Sequence, residues 1–441
     1  MTRATVMLTW GCVVCMALFL VNLGGCGGSP APQKIQHVII IFQENRTPDN
    51  LFHGLPHADI ASSGVNSKGQ TIPLTPVSLA SLYDLDHSHA SFLSMYNGGK
   101  MDGADTIPVV CTENPGACQP YPLNAQFRYV SPSEVAPYFQ MAQEYTFADR
   151  MFQTNQGPSF PAHQFIISGT SAPSANSDLF ASSNPGGVAN AGSNTGCTAP
   201  TQEIVSMIHP DGEVSAQYPC FDHSTLADLL DGQGISWRYY SPSAGSIWTA
   251  PNAIHHLRFG PDWSKNVILQ STQFFQDVAQ HQLAAVSWII PPGQASDHAG
   301  GNDGSGPSWV ASLVNAIGES RYWSDTVVFV TWDDWGGWYD DVAPSIYNSY
   351  EYGFRVPLIV VSPYAKPGYV SHVVHDFGSI LKFIEQNFGL SSLGYADERA
   401  DDLADCFDYD QSPLTFHDIS APLSASQFIE DKRPPTDPDD D

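Results

Sequence analysis

Positive charge is scarce in this chain. Only 17 Lys and Arg stand against 45 Asp and Glu in 441 residues, a formal net charge of −28. Charged residues of both signs make up 14% of the sequence, where an average protein has roughly 25%. Such a balance repels a phosphate backbone and offers no basic stripe to hold one, which excludes a nucleic-acid partner. Cys-x-x-Cys spacing does not occur beyond residue 30, which argues against structural zinc. No internal repeat stands out, and the 36 Gly and 34 Pro follow no collagen-like period. Wholesale disorder is excluded in turn by 42% hydrophobic and 12% aromatic residues, enough for a sizeable core. Low charge suits an exported protein, and the 15 His would add up to +15 as pH falls.

One apolar stretch stands apart, at 6–23, preceded by Arg3 and followed by Leu23-Gly24-Gly25-Cys26. Small residues before a cysteine suit a signal peptidase, so residues 1–25 read as a leader. The Leu-Gly-Gly-Cys order resembles the bacterial lipoprotein box, which implies lipidation at Cys26 and a lipid anchor to the cell envelope, at the periplasmic or outer surface. Plain secretion and an uncleaved anchor are the alternatives. Five cysteines lie beyond this segment. In an oxidising compartment Cys111 with Cys118, and Cys197 with Cys220, are plausible pairs that leave Cys406 over.

Residues 26–35 read as a linker, 36–425 as one domain and 426–441 as an acidic, Pro-rich, disordered tail. Within the domain, strands are expected at His37–Gln43 (HVIIIFQ), 235–240, 284–290, Thr326–Trp332 (TVVFVTW) and 356–362. Helices are expected at 224–231 with Ser224 as N-cap, at 307–320 and at 376–388. Residues 173–200 read as a long surface loop. Strands apolar on both faces and separated by helices predict a three-layer α/β/α sandwich with a mainly parallel central sheet.

In such sheets, ligands gather at the carboxyl ends of the strands. HVIIIFQ runs into Glu44-Asn45-Arg46-Thr47, and TVVFVTW into Asp333-Asp334-Trp335-Gly336-Gly337. Two carboxylates at the end of one buried strand repel each other unless a cation or a proton sits between them. Glu44 and Asn45 add further hard oxygen ligands, although capping and solvation explain most Asp pairs. A third cluster is Gly157-Pro158-Ser159-Phe160-Pro161-Ala162-His163, where Ser159 could open a helix running to Ser168. A hydroxyl there feels the positive helix end; the plain alternative is an N-cap.

Several stretches follow one another in order: QENRTPDN (43–50), DLDHSH (84–89), GPSFPAH (157–163), SDH (296–298), TWDDWGGWYD (331–340), VPLIVVSP (356–363) and DFGSILKFIE (376–385). Together they resemble the bacterial phosphoesterase family of phospholipases C and acid phosphatases, a branch of the alkaline phosphatase superfamily, over roughly residues 35–410. The resemblance implies an alkaline-phosphatase-like fold and metal-dependent hydrolysis of phosphoric ester bonds. It places metal ligands on Glu44, Asn45, Asp333 and Asp334 and the nucleophile on Ser159, through a phosphoserine intermediate. An all-oxygen set favours Ca, Mg or Mn over Zn.

His87 and His298 lie in these motifs as candidates for proton transfer to the leaving group. His163 and His89 rank next, with His372 and His375 after them. Many phospholipases C of the family carry His where this chain has Trp335 and Asp341. Trp335 is expected to form an apolar wall for the substrate, or else to pack. The expected function is therefore an exported acid-phosphatase-like phosphoesterase acting on a small phosphate ester. The alternatives are a phospholipase C and, in another class, a non-catalytic binding protein on the same fold.

Overall fold

Two seven-residue runs, HVIIIFQ and TVVFVTW, lie side by side as the central strands of an eight-stranded sheet, paired in parallel from His37–Thr326 to Gln43–Trp332. The computed structural model describes residue 1, 34–111, 118, 120–187 and 194–436. The described residues from 34 to 436 belong to one compact unit. The predicted leader and Cys26 lie outside the described residues.

In chain order the sheet's strands are β1 (His37–Gln43), β2 (Thr146–Ala148), β3 (Trp237–Tyr240), β4 (Val267–Ile268), β5 (Val286–Ile289), β6 (Thr326–Trp332), β7 (Leu358–Val361) and β8 (Tyr369–Ser371). Their spatial order is β4-β3-β5-β1-β6-β7-β2-β8. All neighbours are parallel except β7, which runs antiparallel to both β6 and β2. Each predicted strand is present: β1 and β6 match to the residue, and β3, β5 and β7 are trimmed at their ends where pairing stops.

The larger helices are α1 (His89–Tyr96), α2 (Ala136–Glu144), α3 (Ser159–Ser168), α4 (Leu226–Gly232), α5 (Gln273–Ala279), α6 (Gly306–Gly318) and α7 (Phe377–Phe388). Side chains alternate across a strand, so Phe42 and Gln43 identify the two covering layers. The Phe42 ring packs on His163 of α3 and Phe377 of α7. Gln43 reaches Tyr138 of α2 on the other face. This is the expected α/β/α sandwich. Ser159 opens α3 with Pro158 at the N-cap, α4 is capped by Thr225 where Ser224 was expected, and Asp376 caps α7 through the backbone N–H of Ser379.

Two expectations need correction. Part of the presumed loop at 173–200 joins a small antiparallel sheet of Phe180–Ala181, Val205–Ile208 and Val214–Gln217. The presumed tail begins with a helix, α8 (Ala425–Glu430), whose Phe428 packs edge-on against Trp309 of α6. That aromatic anchor outweighs the polar composition around it. Cys111 pairs with Cys118 and Cys197 with Cys220, while Cys406 is free and buried. A second apolar cluster, built on Phe92, Trp335, Trp338, Tyr339 and Phe354, packs under the segments that follow α1 and β6.

Candidate active site

Both central strands end on backbone that turns their polar side chains together. Glu44 N–H donates to the Ser296 carbonyl and Asp333 N–H to the Gln43 carbonyl, which locks the two strand ends in step. Asn45 has φ +58°, a left-handed conformation that Asn tolerates well, and its N–H donates to Asp333 Oδ1 at 3.0 Å. Ser159, at the first position of α3, does not act as a cap. Its hydroxyl donates to Asp334 Oδ2 at 3.2 Å, and Oγ lies 3.4 Å from Asn45 Oδ1. Glu44, Asn45, Ser159, Asp333 and Asp334 are all fully buried.

The Asn45 carboxamide tests whether a cation fits here. One end lies 2.8 Å from Asp333 Oδ1 and 3.2 Å from Glu44 Oε2, the other 2.9 Å from His298 Nε2 and 3.2 Å from His87 Nε2. With its nitrogen toward the carboxylates the amide is satisfied by itself. With its oxygen turned that way, oxygens of Glu44, Asn45, Asp333, Asp334 and Ser159 converge, which is the donor set of a hard divalent cation. Three ionisable acids in a dry pocket carry charge that such a cation would balance. The residues fit the group.

Of the six candidate histidines, the two ranked first face the site. His87 Nδ1–H donates to the Leu85 carbonyl at 2.8 Å and His298 Nδ1–H to the Ala299 carbonyl at 2.7 Å. Each ring therefore presents Nε2 to Asn45, and His87 Nε2 is 4.0 Å from Asp334 Oδ2. His163 lies behind the acids, where it donates from Nε2 to Glu44 Oε1 at 3.0 Å and is stacked against Trp248. Its Nε2 therefore faces the Glu44 carboxylate. His89 is half-buried; its Nδ1–H donates to the Gln156 carbonyl, just ahead of the Ser159 turn. Burial outweighs that bond and lowers its pKa.

Trp335, expected either as an apolar wall or as a packing residue, is seen packed. Its ring is fully buried against Phe354, with centroids 4.8 Å apart, and its backbone N–H donates to Gln153 Oε1. Trp338 is equally buried, with the Arg46 guanidinium 5.1 Å above its ring. Asp341, the other departure, points to Arg355 Nη2 at 2.8 Å. There it joins Asp340 and Asp49 around one buried guanidinium. Burial, opposed by Arg355, pushes Asp340 up to about 6 and Asp49 well above the ordinary range. His372 and His375 lie elsewhere, paired with Asp149 and with Asp401.

Sequence reasoning missed the charges that hold this site from below. Arg46 donates from Nε and Nη2 to the Asp297 carbonyl at 2.9 and 2.7 Å. Asp297, at φ +75°, accepts on Oδ2 from Tyr138 Oη at 2.6 Å and Trp332 Nε1 at 3.1 Å. Burial raises the pKa of the Asp297 carboxyl, while the Tyr138 bond and Arg46 pull it back. Together they fix the backbone that carries His298. Asp297 was legible only as a neighbour of His298 in SDH; nothing local marked it as buried.

The model of the Phosphoesterase family matches residues 35–391. The non-hemolytic phospholipase C of Pseudomonas aeruginosa is 25% identical over 418 residues, covering 81% of this chain and 54% of its own length. Phospholipase C A of Mycobacterium tuberculosis is 23% identical, covering 90% of this chain and 82% of its own. The chain spans about half the length of the Pseudomonas relatives it matches. Among solved structures, murine ectonucleotide pyrophosphatase/phosphodiesterase 5 aligns with TM-score 0.41 at 8% identity, covering 85% of this chain and 100% of that one. An alkaline phosphatase superfamily protein from Vibrio parahaemolyticus aligns with TM-score 0.37 at 10% identity, covering 86% and 74%.

Proposed function

The chain belongs to the Phosphoesterase family, and on that premise we propose that it hydrolyses phosphate esters by way of a phosphorylated Ser159. The observation that carries this reading is the hydroxyl of Ser159 at the head of α3, 3.2 Å from Asp334 and facing the Asn45 carboxamide. A divalent cation held by Glu44, Asn45, Asp333 and Asp334 would lower the pKa of that hydroxyl and offset charge on the phosphoryl oxygens. Ser159 Oγ gives up its proton to Asp334 Oδ2, 3.2 Å away, and forms the new O–P bond in line with the ester oxygen, whose bond to phosphorus breaks; Oγ recovers that proton when water cleaves the phosphoserine. The α3 N-terminus favours the charge on Oγ. His87 and His298, each anchored through Nδ1, hold Nε2 toward the site. As imidazolium, one of them gives the departing ester oxygen its proton. The neutral ring then takes a proton from the water that cleaves the phosphoserine and releases phosphate.

Within this chemistry we favour a small phosphate monoester, acid-phosphatase-like. Burial of Trp335 and Trp338 removes the apolar wall that a lipid would need beside the acids. A second reading, phospholipase C, draws on the relatives and on the exposed Leu82 and Leu93, which flank His87 in the chain. The two disulfides support an oxidising compartment, in line with export and anchoring at Cys26. No helix among the described residues is long and apolar enough to cross a membrane.

The test is a panel of p-nitrophenyl phosphate, other monoesters and phosphatidylcholine vesicles at pH 4–8, with and without chelator. Monoester hydrolysis lost on chelation is expected. Phosphorylcholine release without monoester turnover would assign the phospholipase C reading. No turnover with metal bound would leave a binding protein.

A further inference from the structure

A second group of ligating side chains lies at the β8 edge of the sheet, outside the Ser159 site. Ser371 ends β8, His375 sits just ahead of α7, and the turn Ala404–Cys406 packs against β8. His375 Nε2 is 3.5 Å from Asp405 Oδ1, and Cys406 Sγ is 3.6 Å from the same oxygen. All three ligand atoms lie within 4.8 Å of one another. Zinc bonds of about 2.0–2.3 Å to N, O and S place tetrahedral ligands about 3.3–3.7 Å apart, so two edges of that tetrahedron are already in place.

The surroundings suit a metal ligand set. Asp401 Oδ1 lies 3.0 Å from the other ring nitrogen, Nδ1, without the alignment of a hydrogen bond; a small turn of the ring would give the arrangement in which a carboxylate orients a ligating imidazole. Ser371 Oγ lies 3.2 Å from His375 Nε2 and donates to Asp405 Oδ2. His375 and Cys406 are fully buried, but the side chains of Asp401 and Asp405 are 35% and 24% exposed, so an ion has a way in. Burial and then Asp405 push the Cys406 thiol well up. Burial opposes ionisation of Asp405, yet bonds from His375 and Ser371 hold it down to about 2. Lys366, Tyr369 and Tyr409 are further ionisable groups beside the cluster.

We propose that His375, Asp405 and Cys406 form a second metal site, with Asp401 behind the imidazole and the Ser371 hydroxyl or a water in the fourth position. An imidazole, a thiolate and a carboxylate select Zn2+ and similar borderline-soft ions rather than the hard cation suited to the oxygens around Ser159. Binding displaces the Cys406 thiol proton to solvent and forms the sulfur–metal bond. The ion ties β8 to the 401–406 segment, so its role is structural and independent of the hydrolytic reading.

Co2+ is the probe, added at one equivalent to the full-length, metal-stripped protein. The expected result is a thiolate-to-Co2+ charge-transfer absorption that Zn2+ abolishes, that persists in Glu44→Gln, and that is lost in Cys406→Ser. Asp401→Asn should weaken Co2+ binding by about 10–100-fold. No thiolate absorption in the folded wild-type protein overturns the proposal even if a variant fails to fold. So does absorption that survives in Cys406→Ser. A doubly protonated His375 held between Asp401 and Asp405 binds no metal and gives the first of these results.

Discussion

Tyr138→Phe removes a single oxygen from beneath the candidate site. Tyr138 Oη donates to Asp297 Oδ2 at 2.6 Å, and both residues are fully buried. The carboxylate keeps Trp332 Nε1 at 3.1 Å and a long contact from Gln43 Nε2 at 3.4 Å. A hydrogen bond to a charged group contributes about 1.5–3 kcal/mol, and no water can replace it in a site this dry. The variant should therefore lose about 1.5–3 kcal/mol in urea unfolding, with the midpoint lowered and the slope unchanged. The lost bond favours the ionised carboxylate, so the penalty should be larger at pH 7 than at pH 4. In an Asp297→Asn background the same change should cost only about 0.5–1.5 kcal/mol, the value for a neutral pair. A loss under about 0.5 kcal/mol at pH 7 would refute the reasoning, because Asp297 would then not be a buried anion depending on Tyr138.

Other consequences are open to direct measurement. Gly336 has φ +62°, and a Cβ there would lie 2.3 Å from the Asn45 carbonyl oxygen; Gly336→Ala should cost at least about 1–2 kcal/mol and abolish divalent-cation binding in calorimetry, whereas wild-type affinity would contradict the placement of Asn45. His256 is raised to about 9, first by its hydrogen bond to Asp228 and then, against burial, by Asp222. A raised folded-state pKa stabilises fully below about 6.5 and loses that contribution as pH rises through about 9. His256→Gln should therefore flatten the stability profile across that window, and an unchanged slope would count against the pairing.

The fold was legible where apolar runs were long. HVIIIFQ and TVVFVTW are buried along nearly their whole length and could be little else than central strands. The direction of β7 was not legible, since a run apolar on both faces reads the same way in either orientation. The short strands at 180–181, 205–208 and 214–217 carry too few residues to show a period. At the site, Glu44, Asn45, Ser159, Asp333 and Asp334 were found because strand ends and a helix start are local features. Arg46, Asp297 and Arg355 were missed as a supporting framework because a buried charge looks in sequence like a surface one. Its partners lie far along the chain, as Asp297 does from Arg46 and Tyr138. Sequence left Trp335 open between a wall and packing, because it stands beside the acids; its ring lies in the second core, ahead of the turn at Gly336 and Gly337.

The central claim is that Ser159 carries the phosphoryl group. Acid quenching during turnover of p-nitrophenyl phosphate, followed by peptide mass spectrometry, tests it most directly. The account predicts a phosphoryl adduct on the peptide containing Ser159, absent in Ser159→Ala together with all turnover. Metal-dependent hydrolysis that persists in Ser159→Ala would contradict it.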